Sequence, residues 1–397
     1  MTPGPLEGLR VLDLTRLLPG GYATLLLADM GADVLKVEEP GKGDYIRWTP
    51  PIVGEFSASH IALNRNKRSM TLNLKSEEGR ALFLELAGEH DVVIESFRPG
   101  VLERLGVGWS VLSERHPALI YCAITGYGQD GPRAQVAGHD ANYIGYAGVL
   151  GIIGEEGRRP VVPGVQVGDL AGGGMAAVIA ILAALERRRR TGLGDFCDVS
   201  MMDGAMSWLT IHAAAFVATG DEPERELMHL SGRYPCYRVY PAADGWLSVG
   251  ALEPQFWAAL VAALDRPDLA DDAFATGARR DEVIGELEAL FSKNTRAEWM
   301  QRLQGLDVCV GPVNGFGEAL VDPQARARRM AFEADVPGAG EWTHIGDPLK
   351  FASSAVGDQP PSLRLPPPKM GEHTDEVLRS LGRSAADIET LRSSGAV

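Results

Sequence analysis

The 397-residue sequence contains only four cysteines, Cys122, Cys197, Cys236 and Cys309. They are scattered, with no CxxC pair and no regular spacing to histidine, so they predict neither a disulfide framework nor a zinc site. The N-terminal segment lacks a basic stretch followed by an apolar one, and we therefore expect no secretory signal. Reduced thiols in a cytoplasmic protein without a metal ion fit these absences best.

Basic residues are also in deficit, with 38 lysines and arginines against 53 aspartates and glutamates, a net charge of −15. This balance argues against a partner such as nucleic acid that binds a broadly basic surface. It leaves room for a local basic site that binds a phosphorylated ligand. The hydrophobic content of 45% is ordinary for a globular protein, and the length allows two or more domains.

Apolar runs alternate with amphipathic stretches over the first 125 residues. The apolar runs predict strands at Leu9–Thr15, Ala32–Glu38, Met70–Leu74, Asp91–Ser96 and Leu119–Thr125. The amphipathic stretches predict helices at Tyr22–Met30 and Ser76–His90. This alternation indicates an α/β fold with a doubly wound, Rossmann-like open parallel sheet. Ligands of such sheets bind at the carboxyl ends of strands, so the segments after Thr15, Glu38, Ser96 and Thr125 are expected to line the site.

The stretch Gly164–Arg190 contains an apolar core helix. Eleven uncharged residues, Met175–Leu185, follow three glycines and end in four arginines. Eleven residues are about half of the ~20 that span a bilayer, so we predict no membrane span. Asp169 precedes the glycines, where the N–H groups and positive dipole end of the helix favour a carboxylate and face a site. The alternative is that Asp169 only caps the helix.

A second glycine-rich motif, Gly126–Gly131, matches G-x-G-x-x-G and follows a predicted strand. Proline and polar residues follow it instead of the apolar helix that a dinucleotide site needs. We interpret it as a glycine-rich loop and not as an NAD site.

The second half of the chain predicts a smaller α+β domain. The predicted domains are a large domain at 1–218, a linker at 219–233, the small domain at 234–321, and a return segment at 322–397 that completes the large domain. Further elements are predicted as a strand at Asp195–Met202, helices at Asp203–Val217, Pro254–Leu264, Arg280–Ser292, Thr295–Gly305 and Thr374–Leu381, two strands within Tyr237–Ala251, and a wrapping arm at Leu363–Pro368.

Eight segments along the chain read, in order, LADMGADVLKVEEPGKGD, NRNKRSMTLNLKSEEG, FRPGVLERLG, ITGYGQDGP, GHDANY, VGDLAGGG, RTGLGDFCDVSMMDG and MGEHTDEVL. In this order and number they resemble the class III CoA-transferase and α-methylacyl-CoA racemase family. The resemblance implies an acyl-CoA thioester as substrate, with coenzyme A entering as part of it. It also implies an interlinked homodimer and no metal, redox or covalently bound cofactor.

Basic residues cluster in the region that the resemblance assigns to coenzyme A, and they are Arg65, Lys67, Arg68, Lys75, Arg98 and Arg104. Arginine suits phosphate because its planar fork donates two hydrogen bonds. The resemblance places Leu72–Lys75 along the adenine, and Arg98 and Arg104 near the phosphates or the pantetheine arm. The predicted coenzyme A contacts are Arg65, Leu72, Asn73, Leu74, Lys75, Arg98 and Arg104. The alternative interpretation is a solvated charged face.

The family contains two chemistries. Racemases invert the α-carbon of 2-methylacyl-CoA with two acid/base groups, and the matches here are His139 and Asp169, with Glu253 orienting the imidazole. Transferases instead use a carboxylate at the position of Asp169 as a nucleophile that forms an enzyme thioester. We expect the racemase, with the transferase as the alternative and a catalytically inactive CoA-binding protein as a third possibility. Each of these residues also has an alternative, purely structural role. His139 could be a core or helix-capping residue, and Glu253 could merely precede a helix. We expect Asp140, the neighbour of His139, to cap a helix.

Overall fold

A computed structural model describes residues 4–351 and 363–397 of the chain. The chain divides into two compact units: residues 1–149, 163–210 and 323–397 form the first, and residues 150–162 and 211–322 form the second. The predicted large domain, 1–218, includes residues 150–162 and 211–218, which belong to the second unit in the structure. The segment 150–162 joins the second unit because Arg225 Nη1 donates to the Gly151 carbonyl at 2.7 Å and Glu226 accepts the Glu156 N–H at 3.0 Å.

The first unit is built on a six-stranded sheet whose neighbouring strands all run parallel, as predicted. Its strands are β1 Arg10–Asp13, β2 Asp33–Glu38, β5 Lys67–Thr71, β6 Val92–Glu95, β7 Ile120–Thr125 and β8 Phe196–Ser200. Their spatial order is β5-β2-β1-β6-β7-β8. The connections reverse direction between β1 and β6, which creates the crevice where doubly wound sheets bind ligands.

Helices cover both faces of this sheet. The helices of the first unit, in chain order, are α1 Leu17–Asp29, α2 Ala58–Asn64, α3 Glu77–Gly88, α4 Val101–Arg104, α5 Trp109–Arg115, α6 Asp140–Tyr146, α7 Ala176–Thr191, α8 Met201–Ser207, α14 Pro323–Ala327, α15 Thr374–Ser380 and α16 Ala385–Ser393. Of these, α14 packs on a separate strand, β12 Ala331–Val336, and not on this sheet. Strand residues alternate between the two faces: Val11 packs with α1 and α7, whereas Leu12 packs with α3 and α15. Alternation of this kind follows from the two-residue repeat of a strand and explains why the strands are apolar throughout.

The second unit is a three-stranded antiparallel sheet with helices. Its elements are α9 Thr210–Thr219, β9 Tyr237–Ala242, β10 Gly245–Gly250, α10 Pro254–Ala263, α11 Gly277–Phe291, α12 Arg296–Arg302, β11 Val310–Pro312 and α13 Phe316–Val321. Trp257 and Trp299 lie in its core, each about 1% exposed or less. Their indole N–H groups donate to the carbonyls of Leu269 and Phe291, so burial leaves neither donor unsatisfied.

Two hairpins and one helix break differ from the sequence prediction. The hairpins, β3 Ile52–Val53 with β4 Phe56–Ser57 and β12 Ala331–Val336 with β13 Gly340–Ile345, were not predicted. The predicted helix Asp203–Val217 is two helices, α8 and α9, which are interrupted between Ser207 and Thr210. Apolar residues continue through this break, so composition alone gives no signal for it. Part of the predicted return segment 322–397 lies outside the described residues.

Candidate active site

The helix that carries Asp169 begins earlier than the sequence predicts. A π-helical stretch, Gly168–Met175, runs directly into α7 and makes a 24-residue helix. An 18-residue window of this helix has a mean hydropathy of 1.8, so by length and composition it could cross a membrane. Its buried residues, including Ala177 and Ile181, pack in the core of the first unit. Asp169 lies in the first turn and Val167 is the N-cap residue, so the alternative interpretation of Asp169 as only a cap is wrong. Single π-helical turns of this kind recur at functional sites.

The three glycines within this stretch allow close backbone packing. A Cβ atom at Gly172 would lie 2.7 Å from the Met201 carbonyl oxygen, and one at Gly174 would lie 2.9 Å from the carbonyl oxygen of Pro19. Real Cβ atoms do not approach backbone this closely, so a side chain here would push the helix away from α1 and α8. The glycines therefore hold the Asp169 end of the helix at the carboxyl edge of the sheet.

Asp169 is half-buried and lies beside a second carboxylate. Its backbone N–H donates to Asp140 Oδ1 at 2.9 Å, and Asp140 is itself 8% exposed. Burial, followed by repulsion from Asp140, raises the pKa of Asp169 to about 6, and attraction to His139 opposes this rise. A carboxyl group with this pKa exchanges its proton near neutral pH, as a general acid or base must.

His139 precedes α6 in the sequence and is the N-cap residue of that helix. Its backbone N–H donates to Asn142 Oδ1 at 3.0 Å, and its imidazole is exposed. The structure therefore corrects one prediction: His139 occupies the cap position, and Asp140 is the first residue of the helix. The structure brings His139 close enough to Asp169 for their charges to interact.

Three tyrosines support the loop that presents His139. The Tyr143 hydroxyl donates to the Gly138 carbonyl, and the Tyr127 ring meets the rings of Tyr143 and Tyr146 edge-on at 5.1 and 5.7 Å. Burial and the nearby Asp169 raise the pKa of Tyr143 to about 12, so it remains a neutral donor. These contacts fix the backbone at Gly138 immediately before the histidine.

The sequence predicts that the first N–H groups of this helix face the site, but two of them already have acceptors. The Asp169 N–H is bound by Asp140, and the Leu170 N–H donates to the Gln166 carbonyl at 2.9 Å. Both donors are committed because the helix starts before Asp169.

Glu253, the third predicted catalytic residue, lies in the second unit. It is the N-cap of α10, with Pro254 as the first helical residue, and its side chain makes no capping hydrogen bond. Its predicted role in orienting His139 stays a prediction.

The crevice between β1 and β6 contains a cation that the sequence analysis did not single out. The Arg16 N–H donates to Ser96 Oγ at 2.9 Å, and the Arg16 guanidinium lies over the rings of Phe97 and Tyr45 at 5.2 and 5.6 Å. It also pairs with Glu39 at 3.5 Å. The sequence did predict that residues after Thr15 and Ser96 would meet here, and that rule could have identified Arg16.

Among the predicted coenzyme A contacts, Arg65 differs most from an exposed phosphate ligand. Its side chain is 5% exposed and pairs with Asp29 at 2.6 Å, and its guanidinium lies over Phe332 at 5.7 Å. Contact between Arg65 and a phosphate would require the pair with Asp29 to break. Arg98 and Arg104, in contrast, are exposed.

The predicted adenine segment is held in place by the C-terminus of the chain. Asn73 donates from its backbone to the Ala396 carbonyl at 2.8 Å and from its side chain to the Gly395 carbonyl at 3.0 Å. Leu72 is buried in the core, Leu74 is half-buried, and Lys75 is exposed and pairs with Glu39 at 2.8 Å. All four residues follow the carboxyl end of β5.

Two other basic residues of the cluster lie at the opposite end of β5. Lys67 is fully buried, donates to Thr24 Oγ1 at 2.7 Å and lies 3.6 Å from Asp13. Its burial lowers its pKa to about 8, an effect that Asp13 opposes. Arg68 pairs with Asp33 at 2.7 Å. These two cations stabilise the sheet, and the sequence cluster therefore does not form one surface.

The sequence profile of CoA-transferase family III matches residues 6–374. The human succinyl-CoA:glutarate CoA-transferase is 36% identical over 99% of this chain and 90% of that protein. The human alpha-methylacyl-CoA racemase is 34% identical over 98% of this chain and 96% of that protein. A crystal structure of a CAIB/BAIF family protein from Brucella suis superposes with a TM-score of 0.82 at 34% identity, covering 96% of this chain and all of that one. The chain belongs to CoA-transferase family III.

Proposed function

We propose that this protein is an α-carbon epimerase of 2-methyl-branched acyl-CoA thioesters. The observation that carries the proposal is the pair formed by His139 and Asp169, in which the carboxyl pKa is raised to about 6. A carboxylate that works as a nucleophile is needed in its ionised form, and a raised pKa works against that form. A group that gives and takes a proton near neutral pH benefits from the same shift.

The two groups divide the proton transfer between them. One of them, in its basic form, removes the α-proton of the thioester and leaves an enolate. The other, in its protonated form, delivers a proton to the opposite face of the α-carbon. The net reaction consumes no proton, and the two residues end with their protonation states exchanged. Glu253 is proposed to orient the imidazole of His139.

The coenzyme A part of the substrate is proposed to lie in the crevice between β1 and β6. Arg16 is held there by Phe97 and Tyr45, and Arg98 and Arg104 are exposed on the segment that follows β6. Cations at the carboxyl edge of a doubly wound sheet suit a phosphorylated ligand. A homodimer in the cytoplasm is part of the same proposal.

CoA transfer between carboxylic acids is the second candidate, with Asp169 as the nucleophile that becomes an enzyme thioester. The human and Haloarcula marismortui transferases favour it, since both are 36% identical to this chain over most of its length. For a transferase, the raised pKa of Asp169 disfavours the ionised nucleophile, so substrate binding would have to lower this pKa.

Proton exchange distinguishes the two candidates. The protein is incubated with (2R)-2-methylacyl-CoA in deuterated water without an acceptor acid, and α-deuterium and stereochemistry are followed by NMR. An epimerase incorporates deuterium and inverts the centre, and His139→Ala lowers the rate by about 10²–10⁴-fold. Absence of exchange, together with a hydroxylamine-sensitive adduct at Asp169 and transfer of labelled CoA to a second acid, would establish the transferase instead.

A further inference from the structure

Glu39 lies between Arg16, in the proposed coenzyme A crevice, and Lys75, a predicted coenzyme A contact. It directly follows β2, and its Oε1 pairs with Lys75 Nζ at 2.8 Å while its Oε2 pairs with Arg16 Nη2 at 3.5 Å. The two cations thus contact the two oxygens of one carboxylate, as they would contact two oxygens of one phosphate. The side chains are 25% exposed for Glu39, 31% for Arg16 and 70% for Lys75, so a ligand can reach all three.

The neighbouring Glu38 shows what a purely structural carboxylate looks like at this edge of the sheet. It is 5% exposed and accepts hydrogen bonds from Arg47 at 2.6 and 2.7 Å and from Ser69 Oγ at 2.8 Å. Among the residues that the structure describes, the polar partners of the Glu39 carboxylate are only the two cations. Glu38 is therefore fixed by the fold, whereas the partners of Glu39 are side chains that a phosphorylated ligand also needs.

Arg16 keeps its place without Glu39. Its backbone N–H donates to Ser96 Oγ at 2.9 Å. Its guanidinium lies over the rings of Phe97 and Tyr45 at 5.2 and 5.6 Å, and such contacts hold a planar cation without using its N–H groups. If the carboxylate moves away, the guanidinium therefore stays in the crevice with N–H donors available to a phosphate.

The charges of these three residues favour one class of anion. The hydrogen bond from Lys75 lowers the pKa of Glu39, so the carboxylate is ionised at pH 7. Two cations and one carboxylate leave one positive charge unbalanced. Exchange of the carboxylate for a monoanion would not change this, whereas a dianion would balance both cations. A phosphate monoester is close to a dianion at pH 7 because its second pKa is about 6.

We propose that Glu39 is a specificity-determining residue, whose carboxylate holds Arg16 and Lys75 together before the ligand binds and gives both up to the 3′-phosphate of coenzyme A. That phosphate is the monoester of the molecule, and it lies on the ribose beside the adenine, along which the segment ending at Lys75 is predicted to lie. The displaced carboxylate stays nearby and repels the phosphate. Glu39 therefore lowers the affinity for coenzyme A and makes free carboxylic acids poor competitors for the two cations.

The inference rests on the proposed placement of coenzyme A in this crevice and not on which reaction the protein catalyses. Calorimetry of the full chain with coenzyme A and with 3′-dephospho-coenzyme A at pH 7.5 tests it. Glu39→Gln is expected to raise the affinity for coenzyme A by about 3–10-fold and to leave that for the dephospho form within about 2-fold. Lys75→Met, added to this variant, should return coenzyme A affinity to the wild-type value or below.

Glu114→Gln, which makes the same change in an exposed glutamate of α5, is the matched control and should leave both affinities unchanged. Glu39→Ala must give the same gain as Glu39→Gln, because it also removes the carboxylate. An unchanged or lower coenzyme A affinity in the Glu39 variants would overturn the proposal, and so would an equal gain for both ligands or an equal gain in the control.

Arg16→Met separates this inference from the proposed placement of the ligand. Weaker coenzyme A binding in Arg16→Met, without any gain in the Glu39 variants, would overturn the role of Glu39 alone. Unchanged coenzyme A binding in Arg16→Met would overturn both the placement and the role of Glu39. Thermal unfolding without ligand confirms that each variant is folded, which is expected because Glu39 and Lys75 form their pair at the surface.

Discussion

The carboxylate of Asp140 accepts a hydrogen bond from the backbone N–H of Asp169 at 2.9 Å. This bond fixes the first turn of the 24-residue helix and also brings two acidic side chains together. Their repulsion adds to the effect of burial on the pKa of Asp169. Asp140 is thus a positioning residue with an electrostatic effect, and each of these roles can be measured.

Asp140→Asn is expected to lower the pKa of Asp169. The amide oxygen can still accept the Asp169 N–H, but the negative charge that repels the carboxylate is gone. The acidic limb of the pH–rate profile for α-exchange should move to lower pH by up to about one unit. Asp203→Asn, an exposed acid on α8, is the control. If the acidic limb moved equally in both variants, the charge of Asp140 would not be the cause of the raised Asp169 pKa.

Asp169→Asn is expected to stabilise the protein above pH 6 while abolishing activity. The folded-state pKa of about 6 exceeds the ordinary value of 3.8, so the folded protein binds more protons than the unfolded chain between these values. Stability therefore falls as pH rises through this window, and the loss persists at higher pH. The variant should melt a few degrees above wild type, about 1–3 °C, at pH 7.5. No difference is expected near pH 4, and a lower melting temperature at pH 7.5 would count against the shift.

Replacing Arg65 or Arg98 with methionine is expected to have different effects, on stability in the first case and on coenzyme A binding in the second. Arg65→Met leaves the buried carboxylate of Asp29 with the Asn66 amide but without its cationic partner, and it should lower stability by roughly 3–5 kcal/mol. Arg98→Met should leave stability within about 0.5 kcal/mol. It should also weaken coenzyme A binding and reduce the salt dependence of that binding. Chemical denaturation measures the stability of each variant, and calorimetry at two salt concentrations measures its coenzyme A affinity. A stable Arg65→Met protein that has lost affinity for coenzyme A would show that Arg65 contacts the ligand instead.

Gly204→Ala should be far more damaging than Gly285→Ala. A Cβ atom at Gly204 would lie 2.2 Å from the Gly172 carbonyl oxygen, whereas one at Gly285, in the middle of α11, meets nothing within 4 Å. The first variant forces α8 away from the helix that carries Asp169, and the second gains the helix propensity of alanine, up to about 1 kcal/mol. Thermal unfolding and α-exchange assays compare them. Equal effects of the two substitutions would mean that α8 and the helix that carries Asp169 are not tightly packed at Gly204.

The sequence was most informative about elements whose signal is local. The apolar strands of the first unit and the helices beside them follow from periodicity and from the two-residue repeat of a strand. The expectation that a ligand binds at the carboxyl ends of the strands follows from the parallel sheet. The family follows from the order of many short motifs. The same motifs predicted that His139 and Asp169 act together as acid/base groups. The hairpin β3–β4 was missed because two-residue strands carry little periodic signal. The six-residue strands β12 (AFEADV) and β13 (GEWTHI) were missed because they mix charged with apolar residues and form no continuous apolar run.

The protonation and pairing of individual side chains depended on the tertiary structure. Arg65, Lys67 and Arg68 are adjacent in the sequence to the predicted coenzyme A segment, yet the direction of β5 puts them at the far end of the strand, where Asp29, Asp13 and Asp33 neutralise them. The sequence determined the fold and the candidate chemistry, because both rest on residue types and their spacing along the chain. Only the fold decided which carboxylate lies beside Asp169 and which arginines stay free, because a pKa and an ion pair depend on groups that meet through space.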